Sequence, residues 1–196
     1  EWAELVEATL ARHDRLDILV NNAGIVEIGT PETITAENYH RIMAVSVEGT
    51  IWGCKHVIPA MRKNGGGAIV NMASIASVQG EPIVAAYSAA KGAVEAYSRS
   101  VAVHCAQQQL NIRCNSVHPS GIDTPMVQSL PEKMMASLIP MEELASSGAG
   151  ANPLGRAEDI AQTILFLASD ESRFINGQRI IVDNSASVTE GIVPPL

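Results

Sequence analysis

Residues 68–91 read AIVNMASIASVQGEPIVAAYSAAK, and the change of pattern inside them decides the fold. The opening AIVNMAS is a short apolar run that ends in a hydroxyl at Ser74, the profile of a buried strand. From Ala90 onward, Ala93, Val94, Tyr97, Val101 and His104 recur at helical spacing, which predicts a helix from about Ala86 to Gln108. Tyr87 and Lys91 are then i,i+4 neighbours on one face at its start. A free phenol, with a pKa of about 10, is a poor base at neutral pH. An ammonium one turn away and the positive end of a helix both favour the phenolate. A phenol tuned in this way can exchange a proton with an alcohol or carbonyl oxygen. Ser74, at the strand's end, can hydrogen-bond that same oxygen. By itself a Tyr-x-x-x-Lys pair is common on helices, with the Lys solvated and the Tyr half-buried, so the rest of the chain has to decide.

Working outward, Leu16 to Val20 (LDILV) reads as a second buried parallel strand, running into Asn21-Asn22-Ala23-Gly24. Small residues beyond a parallel strand's carboxyl end let a ligand approach the backbone, although a plain strand-to-loop turn has the same composition. Residues 2 to 12 predict an amphipathic helix with Trp2, Leu5, Val6, Thr9 and Leu10 on one side. Thr35 caps a long helix that runs to about Arg62 and stops in Lys63-Asn64-Gly65-Gly66-Gly67. Ile112 to Val117 is a third strand, followed by the loop HPSGIDTPM. Residues 126 to 153, rich in Met, Leu, Ser and Gly, read as one or two mobile helices over a site. A helix over Ala157 to Ala168 carries Glu158 and Asp159 in its first turn, and Ile180 to Val182 is the last strand.

Strands alternating with helices specify an α/β fold, a doubly wound parallel sheet, whose ligands bind at the strands' carboxyl ends. Asn21 to Gly24, Ser74 and His118 to Thr124 all fall at such ends, and Tyr87 and Lys91 open the helix after one of them. This convergence is stronger than any single motif.

Composition narrows the function. The chain has 196 residues, enough for a single domain with a sizeable core, and 46% of them are apolar. A net charge of −8 without a basic stretch argues against nucleic acid or an anionic membrane surface as partner. No apolar run reaches the roughly 18 residues of a membrane span. Cys54, Cys105 and Cys114 are odd in number and lack metal-ligand spacing, which fits a reducing, cytoplasmic setting without a metal site. The chain opens on Glu1 inside a helical pattern, EWAELVEATLARHD, so further sequence upstream is expected.

At this point the residues resemble a family. Asn21-Asn22-Ala23-Gly24, Ser74, Tyr87-Ser88-Ala89-Ala90-Lys91 and the Pro119 to Thr124 loop are similar, in order and spacing, to the short-chain dehydrogenase/reductases from their fourth strand onward. The segments EGTIWGC, NMAS, HPSGIDTPM, FLASDES and VDNS look most like the bacterial 3β/17β-hydroxysteroid dehydrogenases. The resemblance implies a Rossmann-like domain over residues 1–196, its first strands and glycine-rich turn missing, with 120–156 covering the substrate. It implies, for the full-length form, hydride transfer between NAD or NADP, NAD favoured, and a secondary alcohol or ketone. Tyr87 would be the general acid/base. Lys91 would lower its pKa and hold the nicotinamide ribose, and Ser74 would orient the reacting oxygen. Asn21, Ala23 and Gly24 would line the cofactor's adenosine side, and Pro119, Ile122 and Thr124 would hold the carboxamide. Met126, Leu130, Met134, Met135 and Leu138 would suit a flat apolar substrate such as a steroid. Family habit further implies a homotetramer or homodimer.

Two positions depart from the family pattern. Its relay-water Asn corresponds to Ser46 in AVSVEGT, and its Pro-Gly to Pro119-Ser120-Gly121. No G-x-x-x-G-x-G stretch is present for a pyrophosphate. A non-catalytic remnant serving as a packing or interaction module is therefore the alternative reading, and the intact Ser74, Tyr87 and Lys91 favour the enzyme.

Overall fold

A computed structural model of the chain describes residues 1–137, 139, 140, 142 and 153–188. Four parallel strands form one sheet in the order β1 (Ile18–Asn21), β2 (Gly67–Met72), β3 (Ile112–Pro119), β4 (Arg179–Val182). The register is continuous across the middle, with Asn21 opposite Asn71 and Met72 opposite Val117. β2 sits between two neighbours, so its AIV run is sealed from water and Val70 has no exposed surface.

Helices cover both faces. On one, α3 (Gly49–Lys63) and α4 (Ala85–Gln107) lie over β1 to β3, and α1 (Trp2–His13) backs onto α3. Cys54, Val57, Met61, Ile69, Val101, Cys105 and Cys114 form the core there. On the other, α7 (Ala157–Ala168) packs Ile160 and Leu167 onto Val70, Met72 and Val117. The predicted doubly wound sheet is therefore present. The Asp159 carboxylate accepts from the Arg156 backbone N–H at 2.8 Å and closes the first turn of α7.

Three expectations need correction. β1 is buried on one face only: Leu19 and Asn21 lie against α3, whereas Ile18 and Val20 are 51% and 37% exposed on the other face. The cause is coverage, since α7 packs over β2 and β3. On α1, Val6 is buried but Leu5 points outward. The long helix begins where predicted, with the Thr35 hydroxyl accepting from the Asn38 N–H at 3.2 Å. It is interrupted, however: α2 (Ala36–Ile42) passes into a π-helical segment, Met43–Glu48, before α3. Such segments often mark functional positions, and this one carries Ser46.

Two clips bring the loops to the carboxyl end of the sheet. Gly29 N–H donates to the Ile83 carbonyl at 2.8 Å, joining the loop after β1 to the start of α4. The Gly155 N–H donates to the Gly121 carbonyl at 2.9 Å, and Asp123 returns a 2.8 Å bond to the Gly155 carbonyl. In the predicted covering segment, α5 (Pro125–Gln128) and α6 (Leu130–Met135) are short helices. Residues 138, 141 and 143–152 of that segment, Leu138 among them, lie outside the described residues. No helix among the described residues is long and apolar enough to cross a membrane.

Candidate active site

The carboxyl ends of β1, β2 and β3 open into a cavity of about 540 Å3. Ser74, Tyr87 and Lys91 line it, together with Gly24, Thr124 and Met126. Ser74 follows β2 and caps a 3-10 turn, Ile75–Ser77, its hydroxyl oxygen accepting from the Ala76 N–H at 3.2 Å. That bond uses an acceptor lone pair and leaves the Ser74 O–H to point elsewhere. Tyr87 and Lys91 lie in the first two turns of α4, with the Lys91 ammonium 5.6 Å from the centre of the Tyr87 ring.

The electrostatics differ from the expectation that Lys91 and the helix dipole bring the phenol pKa down. Burial pushes Tyr87 above 10, and the Ser74 side chain pulls it only part of the way back. Burial also brings Lys91 down from 10.5 to about 8. Lys91 is 4% exposed, and its ammonium donates to the Met72 carbonyl at 2.7 Å. Desolvation therefore governs both groups: Tyr87 rests as the neutral phenol, a proton donor, and Lys91 holds its proton loosely.

The remaining predicted residues divide. Ala23, Gly24, Pro119, Ile122, Thr124 and Met126 all line the cavity. Asn21 does not: its amide donates to Asn71 Oδ1 at 2.8 Å and to Cys54 Sγ at 3.5 Å inside the core, and Asn22 lines the wall in its place. Among the apolar residues expected over the substrate, Leu130 and Met134 pack against Ile28, Ile83 and Ile139. Met135 is 82% exposed and faces solvent. Met126 alone of that group lines the cavity among the described residues, and α7 adds Ile160 and Ile164 to its apolar wall.

Ser46 is buried, and among the described residues its hydroxyl is the one buried side-chain oxygen or nitrogen without a hydrogen-bond partner. It lies beside Lys91. A Cβ placed on Gly24 would be 3.7 Å from Ser46 Oγ and 3.2 Å from Lys91 Nζ. A side chain at position 24 would therefore crowd the ammonium, and glycine lets the backbone approach it. A second concavity, of about 560 Å3, lies at the strands' amino ends. There Arg15 pairs with Asp17, and Arg113 donates to the Leu167, Ser169 and Ile175 carbonyls, so both serve the fold.

A family profile described as enoyl-(acyl carrier protein) reductase matches residues 1–185. The chain is 41% identical over 189 residues to a 3-beta-hydroxysteroid dehydrogenase of Comamonas testosteroni, covering 94% of this chain and 72% of that one. The chain belongs to the short-chain dehydrogenase/reductase family. It is 40% identical over 185 residues to a cyclopentanol dehydrogenase of a Comamonas species, covering 93% of this chain and 70% of that one. It superposes on the crystal structure of levodione reductase with a TM-score of 0.83 at 28% identity, over 96% of this chain and 73% of that chain. The expected likeness to bacterial hydroxysteroid dehydrogenases is borne out. As a short-chain dehydrogenase/reductase the protein is an oxidoreductase that transfers a hydride between a nicotinamide cofactor and an alcohol or carbonyl carbon.

The site fits such a cofactor. Gly24 lets the backbone lie close to the Lys91 ammonium, which carries three donors, of which one is seen on Met72. Sequence reading missed a second polar cluster behind Ser74, formed by Ser77, Glu95, Ser116 and His118. One signal was available, because Glu95 continues the i,i+4 series of Tyr87 and Lys91 along α4.

Proposed function

We propose that this chain oxidises cyclic, apolar secondary alcohols, or reduces the matching ketones, with Tyr87 as general acid/base. The observation that carries the reading is the meeting of Ser74, Tyr87 and Lys91 on one wall of a cavity whose other walls are largely apolar. The Ser74 hydroxyl orients the reacting oxygen. Tyr87, resting as the phenol, gives that oxygen a proton on reduction; on oxidation it first releases its own proton to solvent, and the phenolate then takes the alcohol's. Lys91 holds the ribose hydroxyls of the nicotinamide and supplies positive charge near the phenol. Ala23 and Gly24, with Asn22 in place of Asn21, flank the adenosine side, and Pro119, Ile122 and Thr124 meet the carboxamide. When bound, the nicotinamide supplies or accepts the hydride.

The relatives named for cyclopentanol and for a 3-beta-hydroxysteroid support a cyclic substrate, and the apolar side chains of Met126, Ile160 and Ile164 suit one. Lys91 and Thr124 meet the end that NAD and NADP share. A relative of Lentilactobacillus kefiri named as an NADP-dependent (R)-specific alcohol dehydrogenase is 36% identical, so the preference for NAD rests on the sequence resemblance alone. The test is a panel of cyclopentanol, cyclohexanol and a 3β-hydroxysteroid with NAD and with NADP, read by nicotinamide absorbance. Turnover of at least one is expected, and turnover of none, in either direction, overturns the reading.

Because free-enzyme ionisations appear in kcat/KM, that parameter is expected to fall as pH rises past about 8, where Lys91 loses its charge. Lys91→Arg, which stays charged, is expected to move the break upward, and an unmoved break removes Lys91 as its source.

Ser46 stands where the family's relay-water Asn stands. Its unpartnered hydroxyl beside Lys91 takes over part of that role. Ser46→Asn is expected to maintain or raise turnover in steady-state kinetics. A large loss at unchanged melting temperature would show that the hydroxyl has a task an amide cannot perform.

A further inference from the structure

Behind Ser74, on the side away from the cavity, its peptide carbonyl accepts from the Ser77 N–H at 3.0 Å and the Ser77 hydroxyl at 2.7 Å. His118 Nδ1 is 3.1 Å from the same carbonyl and 2.9 Å from Ser77 Oγ. His118 is the penultimate residue of β3, has no exposed surface, and directly precedes the loop that carries Pro119, Ile122 and Thr124. Its other nitrogen, Nε2, is 2.8 Å from Ser116 Oγ. Ser77 Oγ is also 3.2 Å from Glu95 Oε2, and Glu95 Oε1 pairs with Arg99 at 2.5 Å and with Arg179 at 3.6 Å.

The partners fix the proton positions. A carbonyl only accepts, so the 3.1 Å contact is a hydrogen bond when Nδ1 carries the proton, and the Ser77 oxygen then accepts from the same N–H. Nε2 then accepts from the Ser116 hydroxyl. The Ser77 proton is shared between the Ser74 carbonyl and the Glu95 carboxylate, both acceptors. Glu95 is held below the ordinary carboxylate range: burial raises it, but the hydrogen bond from Arg99 and the charges of Arg179 and Arg99 outweigh that. Burial lowers His118 further than the Ser74 carbonyl and Glu95 raise it, with Arg179 and Lys91 adding to the lowering, so the imidazole is neutral. Every polar atom in this cluster is matched, and the matching points at one peptide plane, that of Ser74.

We propose that His118 is a positioning residue for Ser74: its Nδ1–H anchors the Ser74 peptide carbonyl and so sets the direction in which the Ser74 hydroxyl meets the reacting oxygen. The inference rests on the reading of Ser74 given above. The geometry explains why the anchor comes from β3. Ser74 orients the substrate, the residues after His118 meet the nicotinamide, and one imidazole ties the two together. Ser77 is the second anchor, and Glu95 orients Ser77.

Two polar substitutions separate this role from packing. An Asn side chain places its amide N–H where Nδ1 lies, whereas Gln places its end group near Nε2. His118→Asn is expected to keep kcat within about threefold of the parent, and His118→Gln to lower it by about 10- to 10²-fold, the scale of a misplaced reacting group. Nicotinamide binding should be unchanged in both. In a Ser74→Ala background the cost of His118→Gln should vanish, because the residue through which it acts is gone. The reverse order of the two variants, or a cost that persists without the Ser74 hydroxyl, overturns the proposal. If Ser74→Ala itself leaves turnover intact, it is the reading of Ser74 that fails. Independently of turnover, 15N NMR of the imidazole is expected to show the Nδ1–H tautomer, and an Nε2–H tautomer overturns the anchor.

Discussion

Tyr87→Phe is expected to lower turnover by about 10²- to 10⁴-fold, the usual loss when a general acid/base is removed, while cofactor binding stays close to that of the parent. The substitution keeps the ring, whose centre lies 5.6 Å from the Lys91 ammonium, and removes only the phenolic oxygen. Ser74 retains its bond from the Ala76 N–H, so its hydroxyl oxygen stays in place. Lys91 retains its bond to the Met72 carbonyl, so its position in the cavity wall is undisturbed. The loss should therefore appear in kcat rather than in the dissociation constant for nicotinamide. Steady-state kinetics together with a cofactor titration decide the matter. Turnover within about threefold of the parent would remove Tyr87 from the proton transfer.

Lys91→Met is expected to abolish useful turnover and, at neutral pH, to make the protein more stable. The first effect follows from losing the charge that, in the proposed function, would hold the ribose and support the phenol. The second follows from desolvation. A pKa that falls from 10.5 to about 8 on folding means the buried ammonium costs roughly 3 kcal/mol below pH 8. Met fills similar volume without a charge. Losing the hydrogen bond to Met72 offsets about 1 kcal/mol, which leaves a net gain of about 2 kcal/mol.

The pH dependence gives the sign. The folded pKa is depressed, so between about pH 8 and 10.5 the unfolded chain holds the proton that the folded chain has released. Stability of the parent from this group therefore rises with pH through that window. The advantage of Lys91→Met should be largest below pH 8 and disappear by about pH 10.5. Chemical denaturation of both proteins across that range measures it. A variant less stable than its parent at neutral pH would mean that the ammonium is net stabilising where it lies.

The order of elements and the central three residues were legible in the sequence because the signals for them are local. AIVNMAS is short and apolar, the helix after it repeats at 3.6 residues, and Tyr87 and Lys91 are one turn apart whatever surrounds them. Thr35 and Asn38 announced a cap in the same way, and the bond between them is present. Element boundaries and the interior of the long helix were less legible. Nothing in MAVSVE marks a π-helical turn, because its register depends on how α2, α3 and α4 pack together.

The direction in which a side chain faces belongs to the tertiary structure. Asn21 and Asn22 are adjacent and chemically identical, yet the first, the last residue of β1, faces the core and the second, just past the strand, lines the cavity. Met126 and Met135 look alike in the sequence, yet one lines the cavity and the other is 82% exposed, because α6 turns its other face onto Ile28 and Ile83. The anchor between Ser74 and His118 spans 44 residues and carries no spacing signal. The proton affinity of Tyr87 moved against the local expectation for the same reason: the i,i+4 spacing sets which groups are neighbours, whereas the free energy of a charge depends on how much water the rest of the fold removes from it.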